Sequence, residues 1–310
     1  MYEGRQRIVV ITGPTAAGKS ALAVDLAEDM GGEIVNADSM QVYRHMDVGT
    51  AKPTKEEMRG VPHHLLDVVD PDEPFNAALY RGLAIPVIED IVKKGRPCFV
   101  VGGSGLYIRA LLGGLFDCPE SSTELRSRLN REWKERGGGE LYQRLRSLDP
   151  EAALKVHPND RVRVTRALEV IGLTGRLFSS LTAVHGFREG AFSALMVCLH
   201  MDRQKLYERI NRRSAAMMEG GLLEETQRLL KLGYRANLKP MQAIGYRHAL
   251  AFLQGVRDLD ETIRRLQADT RRYAKRQITW LRGEPGVRWR TPEERDLVRR
   301  EAMSFLDGNP

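Results

Sequence analysis

The stretch GPTAAGKS, residues 13–20, has the residue types of a loop that binds phosphate groups. It fits the pattern G-x-x-x-x-G-K-[ST] and lies between an apolar segment and a segment with helical spacing. In such a loop the glycines let the backbone N–H groups point inward, the lysine meets the phosphate charge, and the serine hydroxyl can ligate Mg²⁺. The N-terminus of the following helix adds its positive dipole end. We therefore predict that Gly13, Gly18, Lys19 and Ser20 hold a phosphorylated ligand.

The acid that a nucleotide hydrolase needs is missing from its usual place in this sequence. A Walker-B Asp or Glu ends an apolar strand, but PCFVV (97–101) is followed by Gly102 and Gly103. The sequence also lacks a guanine-reading N-K-x-D element. The candidate acid is Asp38 in EIVNADSMQVY, because ligands bind at strand ends in open α/β sheets. Asp38 could hold Mg²⁺ or act as a base; the structural alternative is that it starts a turn or caps a helix beside Ser39.

Strands and helices alternate in the part of the chain that must position these residues. Apolar runs predict strands over 8–12, 33–37 and 97–101, and helical spacing predicts helices over 21–30 and 77–94. This alternation is typical of a parallel sheet with helices on both faces. The fold class is therefore α/β, with a P-loop NTPase or kinase-like core.

The middle of the chain has a different character. Residues 121–185 are charged and helix-patterned, and the next convincing strand is FSALMVCLHM at 192–201, after which the pattern is mostly helical. We predict a core formed by 1–118 and 192–310, with a helical insertion domain over 119–191.

Charge and cysteine content narrow the class of protein. The net charge is +7 and the pI about 9.4, which favours a polyanionic partner without requiring one. Cys98, Cys118 and Cys198 stand far apart, so neither a disulfide framework nor a cysteine zinc site is indicated. No signal segment and no long apolar run occurs. We expect a cytoplasmic protein that does not enter a membrane.

Seven blocks of residues make the sequence resemble one enzyme family. The chain strongly resembles the tRNA dimethylallyltransferases, also called tRNA isopentenyl transferases, from Ile8 to about Trp289. The blocks, in chain order, are GPTAAGKS, NADSMQVYRHMDVGTAKP, HHLLD, VGGSGLY, HPNDRVRVTRALEV, AIGYRHAL and AKRQITWLRG.

The resemblance implies prenyl transfer to RNA. The family moves the dimethylallyl group of dimethylallyl diphosphate to N6 of the adenosine 3′-adjacent to the tRNA anticodon. The loop would then hold a diphosphate leaving group, with Mg²⁺ as cofactor, and the missing Walker-B acid fits this interpretation. The tRNA anticodon stem-loop and dimethylallyl diphosphate are the implied partners of a monomeric enzyme. The zinc finger of the longer eukaryotic members is not expected, since no Cys/His cluster follows Cys198.

The resemblance also assigns roles to single residues. Asp38 would be the general base, and Lys19, Arg213 and Mg²⁺ on Ser20 would stabilise the leaving diphosphate; the structural alternative for Arg213 is an exposed helix charge. The residues implied to bind the diphosphate are Gly13, Pro14, Thr15, Ala16, Ala17, Gly18, Lys19 and Ser20. The residues implied to contact tRNA are Asp38, Ser39, Met40, Gln41, Gly105, Ser127, Val162, Arg163, Val164, Thr165, Arg166, Gln242, Ala243, Ile244, Gly245, Tyr246 and Arg247.

A basic helix face follows from spacing alone. Within 261–283, six cations fall on one side of the predicted helix and apolar residues such as Leu266 and Ala274 fall on the other. The cationic face either meets RNA phosphates or is merely solvated. Its members are Arg264, Arg265, Arg271, Arg272, Lys275 and Arg276.

Two other functions suit the same features. One is an ATP-dependent small-molecule kinase on the same core, and the other is an RNA-binding module whose loop only holds a structural anion. The pair His63-His64 suggests a metal site at first sight, but adjacent residues rarely ligate one ion, so we interpret both histidines as structural.

Overall fold

A parallel β-sheet forms the centre of the protein. The computed structural model describes residues 5–115, 122–185 and 190–308. The strands are β1 (Arg7–Thr12), β2 (Glu33–Asn36), β3 (His63–His64), β4 (Cys98–Val101), β5 (Ser193–Leu199) and β6 (Val287–Arg290). They form one six-stranded sheet in the order β3-β2-β4-β1-β5-β6, and each neighbouring pair is parallel. The predicted α/β class is confirmed.

Strand β1 lies in the middle of the sheet because its side chains are apolar on both faces. Residues 8–11 are fully buried, as expected for a strand covered on both sides. In the register, Val9 pairs with Phe99 of β4 on one side and with Leu195 of β5 on the other. The loop that follows β1 therefore leaves from the centre of the sheet's carboxyl edge.

The sequence-based prediction was wrong in omitting the two edge strands. β3 has only two residues, and β6, with the sequence VRWR, interrupts a region predicted to be mostly helical. Both strands are at least partly exposed, since each pairs on one side only. Edge strands of this kind lack the continuous apolar run that identifies a buried strand.

The helices of the described residues begin and end as follows. The first four are α1 (Lys19–Met30), α2 (Lys55–Met58), α3 (Ala77–Lys93) and α4 (Gly105–Gly113). Next come α5 (Thr123–Arg136), α6 (Gly138–Leu148), α7 (Pro150–Leu154), α8 (Arg161–Thr174) and α9 (Phe178–His185). The last are α10 (Arg203–Glu219), α11 (Leu222–Lys231), α12 (Ile244–Leu253), α13 (Leu259–Arg282) and α14 (Arg295–Asp307), with 3₁₀ turns at Pro240–Gln242 and Pro292–Glu294.

The chain divides into two compact units. One consists of Met1–Leu112 and Ala191–Pro310, and the other of Gly113–Gly190. In the first unit, apolar side chains of the sheet pack with those of α1 and α14 in a cluster that includes Leu26 and Val298. The second unit is helical and has its own core around Leu129 and Val164. Each unit thus buries an apolar core of its own, as a domain does.

The histidine pair has the structural role that we inferred. His64 Nε2 lies 2.6 Å from a carboxylate oxygen of Glu33, and His63 Nδ1 lies 2.8 Å from the carbonyl oxygen of Val61. Within the described residues no three His, Cys, Asp or Glu side chains form a group that could hold a metal ion. The pair therefore ties β3 to its surroundings.

Cys98 and Cys198 are buried and carry free thiols, whereas Cys118 lies outside the described residues. Burial raises the pKa of both described thiols, to about 12 for Cys198, so neither is a reactive thiolate. No helix in 5–115, 122–185 or 190–308 combines the length and apolar character needed to cross a membrane.

Candidate active site

The phosphate loop, residues 13–18, connects β1 to α1 and needs its glycines for steric reasons. Gly13 has φ 140°, and a Cβ there would lie 2.5 Å from the carbonyl oxygen of Leu199 in β5. Gly18 also has a positive φ, 97°, as does Ala16, at 65°. No side chain caps α1, so its first backbone N–H groups can bind an anion instead. The local geometry is that of an anion-binding turn.

Two cations flank this loop. Lys19 Nζ donates to the carbonyl oxygen of Pro14 at 2.9 Å, and Arg213 of α10 donates to the Thr15 hydroxyl at 3.3 Å. Burial lowers the pKa of Lys19 to about 8, although the negative charge of Asp38 opposes that shift. Burial likewise lowers the pKa of Arg213, again opposed chiefly by Asp38. The loop therefore presents two poorly solvated positive charges that a phosphate group can neutralise.

Asp38 lies in a tight turn directly after β2. The buried side chain of Asn36 holds the turn: its oxygen accepts from the Asp38 N–H at 3.0 Å, and its NH₂ group donates to the carbonyl oxygen of Leu65 at 3.0 Å. Asp38 Oδ1 accepts from the Met40 N–H at 2.8 Å. The described residues give Asp38 Oδ2 no hydrogen bond. One carboxylate oxygen thus fixes the turn while the other is available to a ligand.

Asp38 and the phosphate loop belong to one electrostatic site. Asp38 is among the charges that raise the pKa of Lys19, of Arg213 and of the Tyr273 phenol, the last of which is raised mainly by burial. Both Asp38 and the loop follow the carboxyl ends of parallel strands of the same sheet. This is the edge at which open α/β sheets bind ligands.

The end of β4 explains why no acid follows that strand. A Cβ on Gly102 would lie 2.2 Å from the carbonyl group of Ala37, the residue after β2. The Ser104 hydroxyl accepts from the Ser39 N–H at 2.9 Å, which binds the two strand ends together. An Asp or Glu at 102 cannot fit, and Asp38 is the carboxylate that this edge offers instead.

Gln277 of α13 connects the phosphate loop to the end of β4. Its side-chain oxygen accepts from the Thr15 N–H at 2.9 Å, and its NH₂ group donates to the carbonyl oxygen of Gly103 at 3.0 Å. A Cβ on Gly103 would lie 2.3 Å from that NH₂ group. Sequence reasoning missed Gln277, although it lies on the apolar side of a helix whose other side is strongly cationic.

Glu225 of α11 is a second residue that the sequence analysis missed. Its carboxylate is buried and accepts from the N–H groups of Asp47, Val48 and Gly49 at 2.9, 2.9 and 3.0 Å. It also accepts from the Tyr246 hydroxyl at 2.6 Å. An acidic residue in the leucine stripe of an amphipathic helix was the available signal.

This carboxylate joins the loop at 47–49, which lies in one of the blocks that carry the family resemblance, to Tyr246, one of the residues implied to contact tRNA. Gly49 must be glycine, since a Cβ there would lie 2.5 Å from the ring of Tyr246. Gly245, in turn, approaches the Gly49 carbonyl oxygen, which would lie 3.0 Å from a Cβ on Gly245. The start of α12 is thereby fixed to the loop over 47–52.

A cavity of about 1000 Å³ opens beside the phosphate loop. Lys19, Arg209, Arg212 and Arg213 contribute to its lining, together with the exposed residue Ser20. The volume and the positive lining suit a diphosphate. A hydroxyl beside diphosphate oxygens also offers the hard oxygen donors that Mg²⁺ prefers, so the residues present fit that ion.

Three other predicted residues of the first unit make contacts that fix their positions. Gln41 donates from its NH₂ group to the carbonyl oxygen of Ala51 at 3.0 Å. Gly105 begins α4 against Trp280, whose ring would lie 2.4 Å from a Cβ at that position. Arg247 donates to Asp269 of α13 at 2.5 Å.

The predicted RNA contacts in the second unit differ in exposure. Ser127, Val162 and Arg163 are exposed, and Arg166 is half-buried with an ion pair to Glu169 at 2.9 Å. Val164 and Thr165 point into the core of that unit instead. A hydroxyl hydrogen bond from Thr165 to the carbonyl oxygen of Arg161, 2.6 Å long, is an alternative role for that side chain.

Comparison with known proteins gives consistent matches. The chain matches the family described as IPP transferase over residues 41–284 and that described as isopentenyl transferase over residues 6–71. It is 47% identical to tRNA dimethylallyltransferase 2 of Syntrophus aciditrophicus, with 98% of both chains covered. It is also 47% identical to the tRNA dimethylallyltransferase of Geobacter sulfurreducens, with 97% of both chains covered.

Solved structures give the same result. The full-length tRNA isopentenylpyrophosphate transferase of Bacillus halodurans superposes with a TM-score of 0.73 at 39% identity, covering 98% of this chain and 97% of that chain. A eukaryotic dimethylallyltransferase acting on tRNA superposes with a TM-score of 0.82 at 28% identity, covering 98% of this chain and 80% of the other.

Proposed function

Because this chain belongs to the IPP transferase family, we propose that it is a tRNA dimethylallyltransferase. It transfers the dimethylallyl group of dimethylallyl diphosphate to N6 of the adenosine 3′-adjacent to the anticodon, and releases diphosphate. The observation that carries this proposal is the meeting of a phosphate loop and one available carboxylate oxygen, that of Asp38, at the same edge of the sheet.

The proposed reaction forms a carbon–nitrogen bond, breaks a carbon–oxygen bond and moves one proton. The N6 lone pair of adenosine attacks the allylic carbon, the carbon–oxygen bond breaks, and its electron pair leaves with the diphosphate. Asp38 Oδ2 takes the proton that N6 loses. Adenine N6 is a poor nucleophile because its lone pair is delocalised into the ring, so a positioned base is worth about 10²–10⁴-fold in rate.

The leaving diphosphate gains negative charge as the bond breaks. The uncapped backbone N–H groups at the start of α1, together with Lys19 and Arg213, are the candidates for binding that charge. Mg²⁺ held through Ser20 would supply further charge neutralisation. Bound diphosphate also offsets the free-energy cost of burying the charges of Lys19 and Arg213. These two buried cations therefore favour the ligand-bound state of the site.

The adenosine has to leave its stack to reach Asp38, as in other enzymes that act on a base. The exposed members of the predicted RNA contacts, among them Ser127, Val162 and Arg163, are the candidates for holding the anticodon stem-loop, together with Ser39–Gln41 and Gln242–Arg247. The monomeric state and the cytoplasmic location stay predictions.

The test is prenyl transfer itself. Radiolabelled dimethylallyl diphosphate is incubated with bulk tRNA, and the nucleosides are analysed for N6-(dimethylallyl)adenosine. Asp38→Asn keeps an oxygen that can accept from the Met40 N–H, so we expect a folded protein that binds tRNA but whose kcat falls by about 10²–10⁴-fold. Asp72→Asn is the matched control at an exposed carboxylate.

Three results would contradict the proposal in different ways. Near-normal kcat in Asp38→Asn removes the base from the mechanism. Lys19-dependent ATP consumption without prenyl transfer favours the small-molecule kinase. RNA binding with neither activity favours the RNA-binding module.

A further inference from the structure

A second cavity, of about 760 Å³, lies between α12 and α13 and is lined by arginines. We call it the arginine cleft. It is distinct from the cavity beside the phosphate loop, since the two have no lining residue in common. The arginines are Arg247, Arg257, Arg264, Arg265 and Arg272.

The sequence brings these side chains together through helical spacing. Residues 261, 264, 265, 268 and 272 recur every three or four positions, so they share one face of α13. The stripe from 261 to 272 is about 16 Å long at 1.5 Å per residue. The neighbouring helix α12 contributes Arg247, and Arg257 comes from the turn just before α13. The cleft is therefore built from two packed helices and their connection.

The carboxylates of the cleft are already paired within it. Asp269 accepts from Arg247 at 2.5 Å and from Arg272 at 2.8 Å, and Glu261 accepts from Arg265 at 2.8 Å. Hydrogen bonds from Arg272 and Arg247 lower the pKa of Asp269, against burial, which would raise it. Asp269 therefore stays charged at neutral pH, and its charge is already paired with those of Arg247 and Arg272.

His248 adds no charge to this balance. It is buried, its Nε2 lies 3.1 Å from Asp269, and its Nδ1 lies 3.3 Å from the Arg257 guanidinium. Since a guanidinium can only donate, Nδ1 accepts and Nε2 carries the proton, so the ring is neutral. Burial lowers the pKa of His248, which agrees with that form.

Five guanidinium groups therefore face two carboxylates. Arg264 is exposed and has no carboxylate within ion-pair distance among the described residues. Like charges gathered on one helix face destabilise the protein unless an anion joins them. A guanidinium fork binds phosphate oxygens in pairs, which makes arginine suited to phosphates in particular.

We propose that the arginine cleft binds phosphodiester groups of the tRNA backbone. The proposal rests on the proposed function, and it extends the RNA-binding surface from Arg247 along α13. The opposite face of α13 carries Gln277, which fixes the phosphate loop, so one helix contacts RNA on one side and supports the diphosphate site on the other.

The test uses a double substitution in the cleft and a matched pair outside it. Arg264→Gln with Arg265→Gln removes two cations from the cleft. Arg299→Gln with Arg300→Gln removes two exposed, adjacent cations from α14 and is the control. Arg264→Lys with Arg265→Lys keeps the charge. Labelled tRNA is titrated at several salt concentrations, thermal unfolding is measured for each variant, and wild-type prenyl transfer is assayed in parallel.

Each phosphate contact contributes about 0.7–0.9 to the slope of log K against log salt. We expect the Gln pair in the cleft to lower that slope by about 1–2 and to weaken tRNA binding several-fold or more near 0.1 M salt. The Lys pair should keep most of the slope, and the α14 control should match the wild-type protein.

The opposite results would overturn the proposal. An unchanged slope in a folded Gln pair shows that the cleft does not meet RNA phosphates, and an equal loss in the α14 control shows only bulk charge. Titration with inorganic phosphate tests the other possible ligand, a free anion. If the Gln pair loses phosphate binding but keeps wild-type tRNA binding, the cleft binds a free anion and not the RNA backbone. If the wild-type protein binds tRNA but transfers no prenyl group, the proposed function is wrong. The slopes of log K against log salt still decide whether the cleft binds RNA phosphates.

Discussion

We expect the proposed diphosphate binding to depend on pH through Lys19. Burial lowers the pKa of its ammonium group to about 8 in the empty site. A bound diphosphate places negative charge beside it, so its pKa in the complex rises again. Above pH 8 the protein must therefore take up a proton in order to bind. The ligand itself changes little in this range, because the last ionisation of such a phosphate has a pKa of about 6.

The size of the effect follows from the pKa. At pH 9, one unit above a pKa of about 8, roughly nine in ten empty sites have a neutral Lys19, so the affinity for dimethylallyl diphosphate falls about tenfold relative to pH 7. Binding at pH 9 should then take up about 0.9 proton per site, against about 0.1 at pH 7.

Isothermal titration calorimetry in buffers of different ionisation enthalpy measures that proton uptake. Titrations run at constant Mg²⁺ and without RNA. Lys19→Met is the control: its affinity should be weaker and nearly independent of pH between 7 and 9.5. A wild-type affinity that does not change between pH 7 and 9.5, with no proton uptake at pH 9, would refute the reasoning. Such a result would mean that Lys19 stays charged in the ligand-free protein.

The two supporting residues give further expected outcomes. Gln277→Leu leaves the Thr15 N–H and the Gly103 carbonyl oxygen without their partner, so we expect a loss of about 1–3 kcal/mol in the free energy of unfolding and a raised KM for dimethylallyl diphosphate; steady-state kinetics with an unchanged KM would contradict this. Glu225→Gln puts an NH₂ group among four donors, so denaturant unfolding at pH 7 should show a loss of about 2–3 kcal/mol. Tyr246→Phe removes only one of those four bonds and should cost less; equal losses would show that the backbone bonds to Glu225 contribute little.

The centre of the fold was predictable because its signals are local. The apolar run RIVVIT, the glycine-rich loop and the helix after it are contiguous, so sterics and burial determine them within one short stretch. The edge strands β3 and β6 were not predictable in this way. Their formation depends on neighbours distant in the chain, and VRWR has no continuous apolar run.

The residues of the site show the same difference between local signals and contacts distant in the chain. Lys19, Ser20 and Asp38 were found from their spacing to strand ends, and Arg213 only from the family resemblance. Gln277 lies 262 residues from its partner Thr15, and Glu225 lies more than 170 residues from the N–H groups that it binds. Spacing in the sequence contains no information about such pairs.

The predicted basic face of α13 is also corrected by a contact between residues distant in the chain. Its predicted members share one side of α13, but Arg271 is half-buried and donates to the side-chain oxygen of Asn211 in α10 at 2.5 Å. Part of the predicted face is therefore used in helix packing. Arg247 and Arg257, which come from outside α13, complete the cleft instead.

The pairing of β1 with β5 determines when the phosphate loop can form during protein synthesis. Arg7 pairs with Ser193, and the Gly13 turn rests against Leu199. At 5–20 residues per second the ribosome needs roughly 10–40 s to make the intervening chain. Until then one edge of the apolar strand β1 has no partner, and such edges attract other chains. While the helical insertion is being translated, β4 has already been made and β5 has not, so this edge of β1 stays open to aggregation until Ser193–Leu199 has been made.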